Sequence, residues 1–238
     1  MATGNRHSGF RHSPAASNSE AVEDYTKAIY ALARRSETPV TTTALASRLG
    51  VSPGSVTAML KRLDEMGLVR YEPYHGVALT PPGERVALEV VRHHRLLEAF
   101  LAEALEMPWD RVHDEAEVLE HAVSDRMLDR IDAKLGHPTR DPHGDPIPAK
   151  DGQVPTPDAR QLSVCQNGDA GTVARISDAD PEMLRYFDSV GISLDSRLRV
   201  LTRREFAGMI SVAIESDEGD ATTVELGSPA ARAIWVVA

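Results

Sequence analysis

Apolar positions in the first third of the chain recur three and four residues apart in short runs, the period of helices that bury one face. Thr43 to Leu49 keeps Leu45, Ala46 and Leu49 together and stops at Gly50, whose freedom at positive φ suits a tight turn. Ser52 then predicts a helix cap, with Pro53 at the first helical position, where its missing N–H costs nothing. Val56, Met59, Leu60 and Leu63 form the inward stripe of that second helix, and Gly67 ends it. Val69-Arg70-Tyr71 and Val77-Ala78-Leu79 flank Glu72 to Gly76 as a hairpin. From Gly83 to Leu135 the pattern is helical and nearly continuous, broken at Met107-Pro108-Trp109. After Gln161 the period shortens: GTVARI, SRLRVLT, GMISVAIE, TTVEL and AIWVV are β-branched strands between turn residues, interrupted by one helix from Pro181 to Val190.

Composition sharpens the boundaries. Residues 1–19 hold Arg6, Arg11, His7 and His12 among Ser, Gly and Asn, which predicts a disordered basic tail. Residues 136–158 hold six of the 15 prolines and three glycines, too many breakers for regular structure, which predicts a linker or a packed irregular segment. The predicted organisation is a tail over 1–19, a winged helix-turn-helix over 20–82, a helical domain over 83–137, a Pro/Gly-rich linker over 138–160 and a small β-barrel over 161–238. The fold class is α+β, multidomain.

The 238 residues carry a formal net charge of -10, which argues against non-specific coating of nucleic acid but not against a localised DNA-reading face. No apolar run is long enough to cross a membrane, and the first residues lack an apolar leader core. A single cysteine, Cys165, excludes an internal disulfide framework and fits a reducing cytoplasm.

Helix, turn, second helix and wing in that order predict a DNA reader. Ser52, Pro53, Ser55, Thr57 and Ala58 are small enough to approach base edges, while Lys61 and Arg62 suit phosphates. The competing reading is an ordinary helical hairpin with a solvated face.

A second constellation carries metal-type donors. His94 and Glu98 stand four apart on one helix. His113, Glu117, Glu120 and His121 follow at i, i+4, i+7 and i+8, predicting a single helical face where leucine would ordinarily be buried. A divalent cation resolves that conflict, and carboxylate with imidazole suits Mn, Fe or Zn. The alternative is a solvated helix in an acidic region, since Glu98 to Asp132 holds 11 acids against three arginines. H-E-x-x-H is absent, His121 lacks the glutamate at position 118 that a Glu-x-x-His motif needs, and no Walker A or dinucleotide-binding motif appears, so a metal-dependent hydrolase ranks low and no catalytic residue or small organic substrate is predicted.

These residues carry a resemblance. Glu23-Asp24-Tyr25 with Ile29-Tyr30, the winged helix, His94-Arg95-Leu96-Leu97-Glu98, Val112 to Ala116, Glu120-His121 with Ser124-Asp125, and Asp145-Pro146-Ile147-Pro148 are similar to the diphtheria-toxin-repressor family of metal-dependent transcriptional repressors. The resemblance implies a helical dimerisation and metal-binding domain after the winged helix, an SH3-like C-terminal domain, and a homodimer on palindromic operator DNA. It implies Asp24, Glu117, Glu120 and His121 as the primary metal set and His94, Glu98 and His113 as the ancillary set. Rough alignment adds Asp180 to the ancillary set, with Met183 or Glu182 beside it. Asp24 and Glu117 fall where iron-type members carry methionine and cysteine, so the resemblance favours Mn²⁺, with Fe²⁺ as alternative and Zn²⁺ or Co²⁺ as substitutes in vitro. Lys27 stands where manganese-type members without a third domain carry a further glutamate. A protonated lysine cannot ligate, so the resemblance implies separate primary and ancillary sites.

Overall fold

A computed structural model describes residues 14–34, 38–215 and 221–238. The chain separates into two compact units, Met1–Val90 and Val91–Ala238, each described by itself.

The first unit opens with α1 (Pro14–Ala33), α2 (Thr42–Leu49) and α3 (Pro53–Glu65). The tail predicted over 1–19 is therefore overtaken by helix from Pro14, while residues 1–13 lie outside the described residues. Thr41 caps α2 by accepting the Ala44 N–H at 3.1 Å, and Gly50 closes it at φ +66°. Ser52 caps α3 by accepting the Ser55 N–H at 3.1 Å. Leu45, Val56, Leu60 and Leu63 are fully buried against Ile29, Val40 and Val77, so the helical stripes and the wing share one core. The wing is β1 (Val69–Glu72) paired antiparallel with β2 (Gly76–Leu79). Gly83 lies where a Cβ would meet the Leu68 carbonyl oxygen at 1.9 Å, so only glycine allows this close approach at the start of α4 (Pro81–Leu105).

The second unit contains α5 (Val112–Leu119), α6 (Asp125–Lys134), β3 (Arg160–Gln161), β4 (Ala170–Ile176), α7 (Pro181–Val190), β5 (Arg197–Arg204), β6 (Met209–Glu215), β7 (Ala221–Gly227), α8 (Ser228–Arg232) and β8 (Ile234–Val237). Leu96, Leu97, Leu101, Val112, Leu128 and Ile131 pack the helices together. The five expected strands are present and β3 joins them in an antiparallel sheet of order β3-β8-β4-β5-β6-β7. Phe187, Leu184 and Ile192 from α7 and the turn after it bury themselves against that sheet's apolar residues.

Two expectations are revised. α5 stops at Leu119, so the anticipated single helical face ends there and Glu120 and His121 occupy the turn that follows. Residues 140–148, assigned to the linker with a packed irregular segment as the alternative, follow that alternative and are firmly packed. Arg92 donates to the Pro148 carbonyl at 2.7 Å and Arg95 to the Pro146 carbonyl at 2.6 Å. Two α4 guanidinium groups thus satisfy carbonyls that irregular backbone would otherwise leave unpaired. From the other side, the Ile176 N–H of β4 donates to the His143 carbonyl at 2.8 Å, and Arg175 Nε to Asp145 at 2.8 Å.

Candidate metal centre and DNA-facing helix

On α3 the predicted DNA-contacting residues fall on one side. Ser52, Pro53, Ser55, Ala58 and Lys61 are exposed, while Thr57 and Arg62 are half-buried. The Ser52 and Ser55 hydroxyls lie 2.9 Å apart, and the Thr57 hydroxyl donates to the Pro53 carbonyl at 3.0 Å. These hydroxyls are thus held by local bonds and present small, oriented polar groups. Lys61→Ala is expected to weaken binding to all DNA sequences about equally and to flatten the salt dependence by roughly one unit of slope. Affinity measured across a salt series checks this. An unchanged slope removes Lys61 from the interface.

The metal-type donors of the second unit converge around His94 of α4. Its Nε2 lies 3.0 Å from Glu98 Oε1 and its Nδ1 2.6 Å from Glu120 Oε2. A carboxylate thus stands against each ring nitrogen, whereas a neutral imidazole donates from only one. The α5 residue His113 brings its Nδ1 to 3.2 Å from the same Glu98 oxygen and 3.1 Å from His94 Nε2. Two ring nitrogens and a carboxylate oxygen therefore crowd one point, the arrangement that a cation with imidazole and carboxylate ligands resolves.

Depth varies across the cluster. The side chains of Glu98 and Glu120 are 1% and 0% exposed, those of His113 and Glu117 39% and 45%. Burial alone would raise the Glu98 carboxyl, but hydrogen bonds with His113 and His94 outweigh it and hold the group far below the usual carboxylate range. The Glu98 hydrogen bond in turn raises His113.

His94 and His113 are grouped with Glu117, whose carboxylate lies 4.0 Å from His94 Nδ1 and 3.8 Å from His113 Nε2. His121 Nε2 stands 3.5 Å from Glu120 Oε1. Asp24 and Lys27 are half-buried on α1 in the first unit.

Asp180 does not join the ancillary donors in this structure. Its carboxylate caps α7, accepting the N–H groups of Glu182 at 2.9 Å and Met183 at 3.4 Å. Met183 packs against the C-terminal core and Glu182 is exposed. Asp178, two residues earlier, stands 3.5 Å from His113 Nδ1 and completes a donor group with Glu98 and His113. The signal for this lay in Asp180-Pro181, a capping residue before a helix-starting proline, which commits Asp180 and leaves Asp178.

Comparisons with known proteins agree with these elements. Residues 18–77 match the N-terminal DNA binding domain of the iron dependent repressors, and residues 80–149 match their metal binding and dimerisation domain. Residues 160–238 match the FeoA domain. The iron-dependent repressor IdeR of Mycobacterium tuberculosis is 31% identical over 183 residues, spanning 67% of this chain and 79% of that protein. The diphtheria toxin repressor of Corynebacterium diphtheriae is 32% identical over 174 residues, 73% of each chain. The chain belongs to the iron-dependent repressor family. Its members are metal-dependent, DNA-binding transcriptional regulators, and this one has the winged helix, helical domain and SH3-like domain of the longer form. Among solved family structures, a manganese-dependent transcriptional repressor in complex with manganese is 63% identical, with a TM-score of 0.85 over 91% of this chain and 99% of that one. The manganese regulator SloR is 32% identical, with a TM-score of 0.71 over 91% and 97%. No described helix of this family member is long and apolar enough to cross a membrane.

Proposed function

We propose that the protein is a manganese-responsive repressor, acting as a homodimer on palindromic operator DNA, most naturally at genes for metal uptake. The observation that carries this reading is the donor chemistry: His94, His113 and Glu117 form one donor group and Glu98, His113 and Asp178 another, with carboxylate and imidazole only. The one cysteine, Cys165, is buried in the C-terminal core. Oxygen-rich sets suit Mn²⁺, whereas thiolate and thioether favour softer ions. The 63% identical manganese-bound relative supports the same choice. Iron remains the competing reading because the matching family descriptions name it.

In this proposal Asp24, Glu117, Glu120 and His121 hold the primary ion, and His94, Glu98, His113 and Asp178 the ancillary one. Bound Mn²⁺ supplies a fixed positive charge to which several carboxylates commit together. Asp24 belongs to the DNA-binding domain and the other primary ligands to the dimerisation domain, so a shared ion sets the spacing of the two recognition helices. Half-sites must lie about 34–36 Å, or a multiple, apart on B-DNA, which ties that spacing to operator affinity. The ion acts as a ligand that favours the DNA-competent state.

The test is operator binding against Mn²⁺, Fe²⁺, Zn²⁺ and Co²⁺ at fixed salt, for the native chain and the double variant Asp24→Met, Glu117→Cys. The native chain is expected to respond best to Mn²⁺, and the variant to shift toward Fe²⁺ by tenfold or more in the activation ratio, about 1.4 kcal/mol. An unaltered ratio rejects these two positions as the source of selectivity. Turnover of a substrate by metal-loaded protein without DNA affinity points instead to a metal-dependent hydrolase. Metal-independent operator binding points to a winged helix whose acidic helices serve a protein partner.

A further inference from the structure

Glu98 faces a second group of buried ionisable side chains. The side chains of Glu98, Asp141 and His143 are 1%, 3% and 1% exposed, and each offers a ligand atom within 4.8 Å of the others. Asp141 and His143 come from the packed segment once expected to be linker. His143 Nε2 lies 2.8 Å from the Trp109 carbonyl oxygen, which only accepts, so Nε2 carries a proton. The Trp109 ring stacks on the imidazole at 6.0 Å between centroids and 19° between planes, which holds its orientation. The other ring nitrogen is the anomaly. Among the described residues, His143 Nδ1 has no hydrogen-bond partner, and it stands 4.0 Å from Glu98 Oε1. That gap is too long for a hydrogen bond, and a buried imidazole nitrogen without a partner is costly.

Asp141 adds to the conflict. One of its oxygens accepts the N–H groups of His143 at 2.8 Å and Asp145 at 3.0 Å, while the other lies 3.6 Å from Arg95 Nε. Two buried carboxylates beside a buried imidazole nitrogen that lacks a hydrogen-bond partner form a donor set that a cation satisfies. We propose that Glu98, Asp141 and His143 form a further divalent-cation position, with Glu98 shared between it and the His94–His113–Asp178 donors. Metal–ligand bonds of about 2.0–2.2 Å on either side account for a 4.0 Å separation of nitrogen and oxygen that no direct bond explains. Hard oxygens and one imidazole suit Mn²⁺ or Fe²⁺.

The experiment counts Mn²⁺ per full-length chain by equilibrium dialysis and elemental analysis in the native protein, Asp141→Asn and His143→Phe. Asn keeps the acceptor oxygen for the two N–H groups and removes the charge. Phe keeps the ring volume beneath Trp109 and removes the nitrogen. Each folded variant is expected to bind one Mn²⁺ fewer, while metal-activated operator binding through the primary set persists. Equal counts and affinities in native chain and folded variants overturn the proposal. Because Phe removes the Nε2 donor to Trp109, that variant alone could fail to fold, so anomalous diffraction at the manganese edge on native crystals is the second measurement. Density between Glu98 and His143 is expected. Density confined to the His94–His113–Asp178 donors overturns this site while leaving the manganese reading intact. A native chain that binds no Mn²⁺ overturns both.

Discussion

His121→Ala is expected to abolish manganese-activated operator binding, leaving the affinity of the metal-loaded variant at the non-specific level, roughly 10³-fold or more below the native complex. His121 lies in the turn after α5 with its Nε2 beside the fully buried Glu120 carboxylate. Truncation removes one of two donor types from the proposed primary set and leaves clustered carboxylates without the nitrogen that shares their cation. In the proposed scheme the ion then no longer ties Asp24 to the other primary ligands. His94→Ala provides the contrast. It removes a ligand of the proposed ancillary set and the imidazole that stands between the carboxylates of Glu98 and Glu120. That variant should keep activation but require more Mn²⁺, with smaller thermal stabilisation by the metal, as mass action requires. Metal titrations of operator binding, beside melting curves with and without Mn²⁺, separate the two. If His94→Ala is silent and His121→Ala merely shifted, the primary and ancillary roles are reversed.

The second large effect is structural. Gly144→Ala is expected to cost about 3 kcal/mol or more of stability in the C-terminal unit. Gly144 holds φ +87°, which L-residues rarely adopt, and a Cβ there would meet the Ala174 carbonyl oxygen at 2.1 Å. Relief requires the Asp141–Asp145 segment to leave β4, breaking the Ile176 to His143 hydrogen bond and the Arg175–Asp145 ion pair. Urea unfolding checks this through a lowered midpoint at an unchanged slope. A midpoint within error of the native value would show that the segment is not clamped against the sheet.

Much of the winged helix was legible because its signals are local. Gly50, Ser52-Pro53 and the apolar stripe of α3 are chosen by backbone conformation and capping within a few residues. The C-terminal strands were equally clear, since β-branched runs between turn residues leave little choice. The end of α5 was missed because the chain turns after Leu119 with neither glycine nor proline to mark it. The available cue was Ser124-Asp125, which sits at the start of α6 and implies that a preceding helix has ended. Asp178 and His143 were harder, because what positions them is distant in sequence. Asp178 is set by α7 docking near His113, and His143 by Arg92, Arg95, Trp109 and β4 closing on a proline-rich segment. Composition correctly excluded regular structure there but could not distinguish a loose linker from irregular backbone with its polar groups satisfied.

If a cation is what makes the protein competent for DNA, the coupling must be reciprocal. The decisive measurement is a thermodynamic cycle at constant salt: operator affinity with and without Mn²⁺, and Mn²⁺ affinity with and without operator. Manganese is expected to tighten operator binding by at least a hundredfold, about 2.7 kcal/mol, and operator DNA to tighten Mn²⁺ binding by the same total factor. Tight Mn²⁺ binding that leaves operator affinity unchanged would contradict the metal-switched repressor.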